Sequence, residues 1–235
     1  MDVAVITTLN EELSIGPLVS ALRRDGLRVC VVDDASEDDT TYVARRAGAH
    51  VIAHCVRRGI GPSLVEGWRW ALGEGALRVV QLDAGGSHFA GQALDLLDGL
   101  GVARSGDRPQ QGADLVIGSR FCAGARYEGN VRRMVLSRAA ALACNLRYGH
   151  AITGVSDWTS GYRAFSAAAL RKLARLNYTA TMHGWQIEVL LAARWLGMRI
   201  AEAPITYHGG RSSFNRRVAQ EAFSVWNSRR FALQS

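Results

Sequence analysis

The chain has 235 residues, of which 48% are hydrophobic and 21% are charged. This composition is ordinary for a globular protein of one large domain, and it excludes a disordered or fibrous chain. The net charge is +7, and every basic residue except Lys172 is an arginine, which suits anionic partners but is also what GC-rich coding produces.

Short apolar strands alternate with helical periodicity, which predicts an α/β protein with a mostly parallel, twisted sheet and helices on both faces. The predicted strands are Val3–Thr7, Arg28–Val32, His50–Ala53, Arg78–Leu82 and Asp114–Ile117. Apolar spacing predicts helices around 15–22, 65–72 and 93–100. Ser36, with Asp39 three positions later, indicates a helix start after the second strand.

Beyond residue 118 the pattern changes. Residues 99–112 are rich in Gly and Gln and are expected to form a mobile surface loop. A helix is predicted over 132–147; arginines interrupt its apolar side, so it either packs on the sheet, the default, or lies on a membrane surface. A helix near 185–196, a strand near 199–207 and a basic helix from about Arg216 complete one domain, 1–235.

No run of 18 apolar residues is present, so we expect no transmembrane anchor. The first residues carry acids and no basic segment, which argues against a signal peptide. Cys30 and Cys144 lie in apolar runs, and no cysteine pair has metal-ligand spacing. These features predict buried thiols in a reducing, cytoplasmic compartment.

Acidic residues follow two of the predicted strands. The turn after the first strand has no glycine and no GxGxxG pattern, and no phosphate-binding P-loop is present. Asp33 and Asp34 end the second strand, and Asp83 ends the fourth. Ligands of open α/β sheets bind at this edge, where a carboxylate can accept from a base or ribose or hold a divalent cation. Helix capping is an alternative that fits Asp34 better than Asp33 or Asp83.

Five motifs occur in order along most of the chain: TLNEE (8–12), VVDDAS (31–36), LDAGGSH (82–88), LVIGSRF (115–121) and DWTSGYRAF (157–165). In this set the sequence resembles the family 2 glycosyltransferases of GT-A fold, and among them the dolichyl- or polyprenyl-phosphate mannose synthases. The resemblance implies a nucleotide-binding half over about 1–118 and an acceptor-binding half over about 119–235.

The resemblance also implies roles for individual residues. Those expected to hold the nucleotide-sugar are Leu9, Glu11, Asp33, Asp34, Arg58, Asp83, Ala84 and Gly85. Those expected at the acceptor phosphate and the reacting sugar are Arg120, Arg133, Ser137, Asp157 and Arg211. Arg120, Arg133 and Ser137 would grip the lipid phosphate, and Arg211 would close a C-terminal loop over the diphosphate.

The chain departs from the family pattern at the expected metal site. Gly85 replaces the second aspartate of the DxD motif, which leaves Asp83 and the hydroxyl of Ser87 as metal ligands. One carboxylate and a hydroxyl are a poor cage for Mg²⁺ or Mn²⁺. We therefore expect the cation to be weakly needed or dispensable, with Arg58 and Arg211 neutralising the diphosphate.

The resemblance implies an inverting enzyme that moves a hexose, mannose or glucose, from a GDP- or UDP-sugar to a polyprenyl or dolichyl phosphate. Two alternatives stay open: the same donor chemistry with a soluble acceptor, and a catalytically silent subunit that binds nucleotide-sugar. Without an anchor, such an enzyme would contact the membrane peripherally or through a partner subunit. Nucleic acid is not expected, because no basic stripe with interleaved aromatic residues is present.

Overall fold

The computed structural model describes residues 1–100, 112–148, 154–209 and 224. The strands are β1 (Asp2–Thr8), β2 (Arg28–Asp33), β3 (His50–Ala53), β4 (Arg78–Asp83), β5 (Leu115–Ser119), β6 (Arg126–Glu128), β7 (Arg163–Ser166), β8 (Ile200–Pro204) and β9 (Thr206–His208). The helices are α1 (Glu12–Arg24), α2 (Thr40–Arg46), α3 (Ile60–Gly73), α4 (Ala93–Asp98), α5 (Val131–Tyr148), α6 (Ala167–Leu173) and α7 (Gly184–Trp195).

Seven strands form one sheet in the order β3-β2-β1-β4-β7-β5-β8. All neighbouring pairs are parallel except those of β7, which runs against both β4 and β5. Strands β6 and β9 make a separate two-stranded sheet. The predicted α/β class with a mostly parallel sheet is confirmed, and β7 is its one exception among the described strands.

Side-chain alternation along the strands divides the core between the two faces of the sheet. On β1, Val3 and Val5 pack with α3, α5, α6 and α7, whereas Ala4 and Ile6 pack with α1, α2 and α4. Trp68 of α3 is fully buried, and its indole N–H donates to the Gln81 side chain at 3.1 Å. Helices therefore cover both faces, as the sequence predicts for buried parallel strands.

The five strands predicted in the first half correspond to β1–β5, displaced at their ends by at most two residues. The single strand predicted over 199–207 is wrong, because β8 and β9 belong to different sheets and separate at Ile205. There the N–H of Ile205 donates to Ser119 and its carbonyl accepts from Arg126, so the backbone changes partners at this residue. Residues 101–111 of the loop predicted over 99–112 lie outside the described residues, and so does the helix predicted from about Arg216, apart from Ser224.

The close packing of α3 on the sheet depends on Gly67. A Cβ at this position would lie 2.4 Å from Cγ1 of Val5 and 3.2 Å from Cγ2 of Val32. We expect Gly67→Ala to lower the unfolding free energy by about 1–3 kcal/mol, which is the usual cost of overpacking a core. Thermal melting measures this as a midpoint lowered by several degrees.

Gly73 of the same helix is the matched control, since a Cβ there would meet no atom within 4 Å. Gly73→Ala should leave the melting midpoint unchanged or raise it, because alanine favours the helix by up to about 1 kcal/mol. Equal destabilisation by both substitutions would contradict this description of the packing.

Candidate active site

The strand ends that carry the predicted donor residues meet at one edge of the sheet. Asp33 ends β2 opposite Thr8 of β1, and Asp83 ends β4 opposite Thr7 on the other side of β1. The backbones of the two aspartates are thus separated by two strand spacings, roughly 10 Å. In open α/β sheets, ligands bind in the crevice at this edge.

The antiparallel strand β7 brings a second group of residues to the same edge. Because β7 runs against β4 and β5, the segment that precedes it lies where those two strands end. Arg120 directly follows β5, and Asp157 lies in the segment before β7. The sheet topology therefore places the predicted donor and acceptor residues at neighbouring positions.

Hydrogen bonds tie the loop after β1 to the loop after β2. The backbone N–H of Asn10 donates to the hydroxyl of Ser36 at 2.9 Å, and that of Glu11 donates to the hydroxyl of Thr40 at 2.8 Å. Leu9 and Glu11 are both half-buried in this pair of loops. Two of the predicted donor residues are thereby held beside the ends of β1 and β2.

Asp33 is only 2% exposed and fixes the loop that follows it. One carboxylate oxygen accepts from the N–H of Ser36 at 2.9 Å and from its hydroxyl, and the other accepts from the hydroxyl of Thr41. Ser36 therefore donates to Asp33 and does not begin a helix. The helix start predicted at Ser36 is wrong. Helix α2 starts later, at Thr40, with Asp39 as its N-cap residue.

Asp34 joins the end of β2 to the start of α3. Its carboxylate accepts from the N–H groups of Arg58 (2.7 Å) and Gly59 (2.9 Å) and contacts Nδ1 of His54 at 3.0 Å. Burial alone would raise the pKa of Asp34, but these hydrogen bonds outweigh it and lower the pKa. Asp34 is therefore ionised at neutral pH. The guanidinium of Arg58 is exposed at the rim of the site, and its Nη1 lies 3.4 Å from Oε2 of Glu66.

Asp83 differs from these two aspartates in its contacts with the described residues. The side chain is half-buried, and no hydrogen bond or ion pair joins it to any residue that the structure describes. A Cβ on Gly161 would lie only 3.1 Å from Oδ2 of Asp83, so glycine allows the segment before β7 to approach closely. The Asp83 carboxylate is available to a bound ligand.

A divalent cation would need more ligands than this edge supplies. Next to Asp83, Ala84 is buried and Gly85 has no side chain, while Ser87 offers a half-buried hydroxyl. Within residues 1–100, 112–148 and 154–209, no group of three His, Cys, Asp or Glu could hold a metal ion. The described residues do not form a cage, so an ion here would take most of its ligands from a bound diphosphate.

A bidentate ion pair joins Arg120 to the fully buried Asp157. Nε and Nη2 of Arg120 each donate to a different carboxylate oxygen at 2.7 Å, and the Arg120 N–H donates to Oδ2 at 3.0 Å. Nη2 also donates to the hydroxyl of Thr159 at 2.6 Å. None of the described residues accepts a hydrogen bond from Nη1. One amino group of a rigidly held guanidinium is thus free for an anion.

The charges of this pair depend on each other. Burial would lower the pKa of Arg120, but Asp157 outweighs it and keeps the pKa above the ordinary value. Burial would likewise raise the pKa of Asp157, and Arg120 lowers it instead. The carboxylate pKa is lower in the folded than in the unfolded chain. The pair therefore stabilises the fold above the unfolded pKa, and this contribution is lost as the pH falls through the folded value.

Glu202 at β8 holds the segment that carries Asp157. Its carboxylate accepts from the N–H of Asp157 at 2.8 Å, the N–H of Ser156 at 3.0 Å and the Ser156 hydroxyl at 2.7 Å. The sequence analysis did not predict this role for Glu202. A glutamate in a short strand otherwise made of apolar residues was the available signal.

Arg163 fixes the other end of the same segment. It is fully buried and donates to the carbonyl oxygens of Ser160 (2.9 Å), Trp158 (3.1 Å) and Gln186 (2.8 Å). Burial lowers the pKa of Arg163 to about 9, so it remains charged at neutral pH. The residue belongs to the DWTSGYRAF motif but was not predicted as a site residue. Its role is to shape the backbone between Trp158 and Ser160.

His88 lies between the two groups of site residues. Its ring packs against Tyr162 at 4.9 Å and Tyr207 at 5.7 Å between centroids, and the Tyr207 ring also contacts the guanidinium of Arg120. Burial lowers the pKa of His88 to about 4, so the imidazole is neutral at pH 7. Nδ1 is buried without a hydrogen-bond partner among the described residues. In the sequence, His88 is the last residue of the LDAGGSH motif.

The remaining predicted acceptor residues are described in part. Arg133 and Ser137 lie one turn apart on α5, and Ser137 is half-buried. The side chain of Arg133 and the whole of Arg211 lie outside what the structure describes. Their roles stay predictions.

Comparison with known proteins identifies the family. The family model described as glycosyl transferase family 2 matches residues 3–98. An undecaprenyl-phosphate mannosyltransferase of Micrococcus luteus is 34% identical over 212 residues, covering 86% of this chain and 82% of that protein. The chain belongs to glycosyltransferase family 2. A polyprenol monophosphomannose synthase of Mycolicibacterium smegmatis is 30% identical, covering 86% of this glycosyltransferase and 76% of that protein.

Solved structures support the GT-A fold of this glycosyltransferase. A glucosyl-3-phosphoglycerate synthase of Mycobacterium tuberculosis, in complex with UDP, superposes with a TM-score of 0.71. The match is 23% identical and covers 97% of this chain and 79% of that one. The predicted fold and family are confirmed, and the chain is an enzyme of the glycosyltransferase class.

Gly85 provides a direct test of the cation requirement of the glycosyltransferase. A Cβ there would meet only Oε1 of Glu11, at 3.4 Å, so a side chain can start at this position without a clash of its Cβ with the backbone. Gly85→Asp should bind Mn²⁺ at least about tenfold more tightly than the wild type in the presence of nucleoside diphosphate, because a second carboxylate joins Asp83. Isothermal titration calorimetry measures the difference.

Gly85→Asn is the control, since it has the same size and no charge. It should bind Mn²⁺ as the wild type does, and the wild type should remain active in excess EDTA. Abolition of wild-type activity by EDTA with rescue by Mn²⁺ would refute the expectation. So would equal Mn²⁺ affinities for the aspartate and asparagine variants.

Proposed function

We propose that this enzyme transfers a hexose from a nucleotide-diphosphate sugar to a polyprenyl phosphate, with inversion at the anomeric carbon. The observation that carries the proposal is the Arg120–Asp157 pair at the sheet edge that also holds Asp83: within the described part of the chain, neither Nη1 of Arg120 nor the Asp83 carboxylate has a hydrogen-bond partner. The names of the relatives from Micrococcus luteus and Mycolicibacterium smegmatis point to the same acceptor class.

The proposed reaction is a single displacement. A phosphate oxygen of the acceptor attacks the anomeric carbon from the face opposite the leaving group, forming a new carbon–oxygen bond. The bond from that carbon to the diphosphate breaks, and the nucleoside diphosphate leaves with the electron pair. Because a phosphomonoester is already an anion near neutral pH, no residue has to remove a proton. The protein has to orient two anions and offset their charge.

The guanidinium groups provide this positive charge. Arg120 keeps its charge despite burial, because Asp157 holds it in one orientation with Nη1 free. We propose that Nη1 binds the acceptor phosphate together with Arg133 and Ser137 of α5. Arg58 at the rim and Arg211 would then neutralise the diphosphate, which is the reason a cation is weakly needed or dispensable.

On the donor side we propose that the loops after β1 and β2 bind the nucleoside. Leu9 and Glu11 would contact the base and ribose, and Asp33 and Asp34 would keep the binding loops in place through the hydrogen bonds described above. Asp83 would then face the sugar or ribose end of the donor. This corresponds to a nucleotide-binding half over residues 1–118 and an acceptor-binding half over 119–235, in one domain.

The donor is proposed to be a GDP- or UDP-hexose, and the enzyme is proposed to meet its acceptor by peripheral contact with the membrane or through a membrane subunit. Solved neighbours hold UDP, UDP-glucose and Mn²⁺, which supports a nucleotide-sugar donor in this fold. None of the described helices is long and apolar enough to cross a bilayer.

The direct test is transfer of labelled hexose from GDP-mannose, GDP-glucose, UDP-glucose or UDP-mannose to a polyprenyl phosphate. We expect one donor to yield label that partitions into organic solvent, and ¹H coupling constants of the product should report inverted anomeric configuration. Label that stays in water as a new glycoside would point to a soluble acceptor. Donor binding without turnover of any acceptor would refute the proposal.

Arg120 should be needed for the acceptor more than for the donor. Arg120→Lys keeps the charge but removes the planar fork that Asp157 orients, so we expect the acceptor KM to rise about 10–100-fold. The donor KM should change by less than about threefold. Initial rates with each substrate varied in turn measure both constants.

Arg28→Lys is the matched control, since it is the same substitution at an arginine that pairs with Glu74 at the opposite edge of the sheet. Its kinetic constants should equal those of the wild type. An Arg120→Lys enzyme whose donor KM rises while its acceptor KM does not would contradict the assigned role.

A further inference from the structure

A buried histidine connects the donor side of the site to helix α3. His54 directly follows β3, and its side chain is only 2% exposed. Its Nδ1 contacts Oδ1 of Asp34 at 3.0 Å, and its Nε2 contacts Oε2 of Glu66 at 2.9 Å. Because Asp34 follows β2 and Glu66 belongs to α3, the ring joins these two elements through a carboxylate on each side.

These two contacts indicate the protonation of the ring. A neutral imidazole has one N–H donor and one nitrogen with a lone pair, whereas an ionised carboxylate only accepts hydrogen bonds. A neutral ring at His54 would therefore hold a lone pair about 3 Å from one of the two carboxylates. The imidazolium instead donates from both nitrogens, so the geometry fits a ring that carries both protons.

Glu66 is shared between this ring and an arginine. Nη1 of Arg58 lies 3.4 Å from Oε2 of Glu66, which is the same oxygen that Nε2 of His54 contacts at 2.9 Å. The Arg58 side chain is 53% exposed, so it can leave this carboxylate and meet a ligand. The two cations therefore compete for one carboxylate oxygen, and the buried ring makes the shorter contact.

The charges of this cluster balance only while the ring is protonated. Asp34 and Glu66 are negative, and Arg58 and the protonated His54 are positive. Loss of one ring proton leaves an excess of one negative charge in a place partly shielded from water, where charges interact more strongly than in bulk water. Because Arg58 is the exposed, flexible cation of the cluster, we expect it to close on Glu66 in that state.

The other titratable groups around the ring do not supply the missing charge. Cys30 of β2 lies near Glu66, but burial raises the pKa of its thiol to about 12, so the thiol is neutral. The Asp33 carboxylate accepts from hydroxyl groups of the loop after β2. Cys55 and Arg57 are exposed to solvent, where salt screens their charges. The balance therefore depends on His54 and Arg58.

We propose that His54 is a positioning residue for the donor: while its ring carries both protons, it occupies Glu66 and leaves Arg58 free to bind the diphosphate. Donor affinity then falls as the pH rises through the range in which the ring loses a proton, because Arg58 returns to Glu66. By linkage, donor binding favours the protonated ring to the same extent. This consequence rests on the proposed function, in which Arg58 neutralises the diphosphate, whereas the protonation of the ring does not.

The test is calorimetric titration of the full chain with GDP-mannose and with UDP-glucose at about pH 6, 7 and 8. A diphosphate that is esterified at both ends has no proton that titrates in this range, so the change in affinity reports on the protein. Wild-type affinity should fall at least about fivefold from pH 6 to pH 8. Titrations in buffers of different ionisation enthalpy should also show that donor binding takes up protons.

Two variants have opposite expected results. Glu66→Gln removes the carboxylate that withdraws Arg58, so at pH 8 it should bind donor as tightly as the wild type does at pH 6. His54→Gln keeps Glu66 without the ring charge, so it should bind weakly at both pH values. Glu74→Gln and His50→Gln are the matched controls at the opposite edge of the sheet, and they should keep the wild-type pH dependence.

Nitrogen chemical shifts of the His54 ring, assigned by their loss in His54→Gln, test the protonation without a donor. At about pH 6 the two nitrogens should have the similar shifts of an imidazolium. The shifts should separate at higher pH, over the range in which donor affinity falls.

Three results would overturn the proposal: a ring that is neutral at pH 6, a wild-type donor affinity that does not change with pH, or a pH dependence that persists in Glu66→Gln. If neither nucleotide-sugar binds at any pH, the proposed function fails and the role of His54 toward the donor fails with it. The nitrogen shifts still decide whether the ring carries both protons.

Discussion

The buried ion pair of Arg120 and Asp157 is the interaction on which the proposed acceptor side of this enzyme depends. A guanidinium that is nearly desolvated keeps its charge only with a carboxylate in bidentate geometry, and a buried carboxylate needs its remaining lone pairs satisfied. Backbone N–H groups on both sides of the pair meet that need. The pair contributes orientation more than stability: it fixes the direction in which the free amino group of Arg120 points.

That geometry exists because β7 is antiparallel in an otherwise parallel sheet. A parallel strand in its place would begin at the edge of the sheet opposite the site. Asp157, which precedes this strand, would then lie a full strand length from Arg120. Reversal of β7 puts the segment before it next to Asp83 and Arg120 together. Glu202 and the buried Arg163 then hold this segment at its two ends through backbone groups, so the acceptor residues have a fixed frame.

Much of the fold could be predicted from the sequence, because β1–β5 are apolar runs separated by helical periodicity. Strand β7 could not, since all four of its residues, Arg163 included, are buried and show no alternation. The break at Ile205 was also hidden, because Pro204 and Ile205 read as a continuous strand. Strand-end aspartates could be recognised as a group. Only the structure shows that Asp33 and Asp34 accept hydrogen bonds from the protein's own backbone and hydroxyls, whereas Asp83 accepts none from the residues described.

The close approach of Gly161 to Asp83 couples the two halves of the enzyme. With about 3 Å between the carboxylate and the position of a Cβ, the backbone that carries the proposed acceptor residues rests against the proposed donor carboxylate with no flexible side chain between them. Chimaeras that join residues 1–118 of one family member to the rest of another would succeed only where this contact is conserved on both sides. We therefore expect sugar preference and acceptor preference to be linked in this enzyme, so that a library that diversifies one of them must also sample the other.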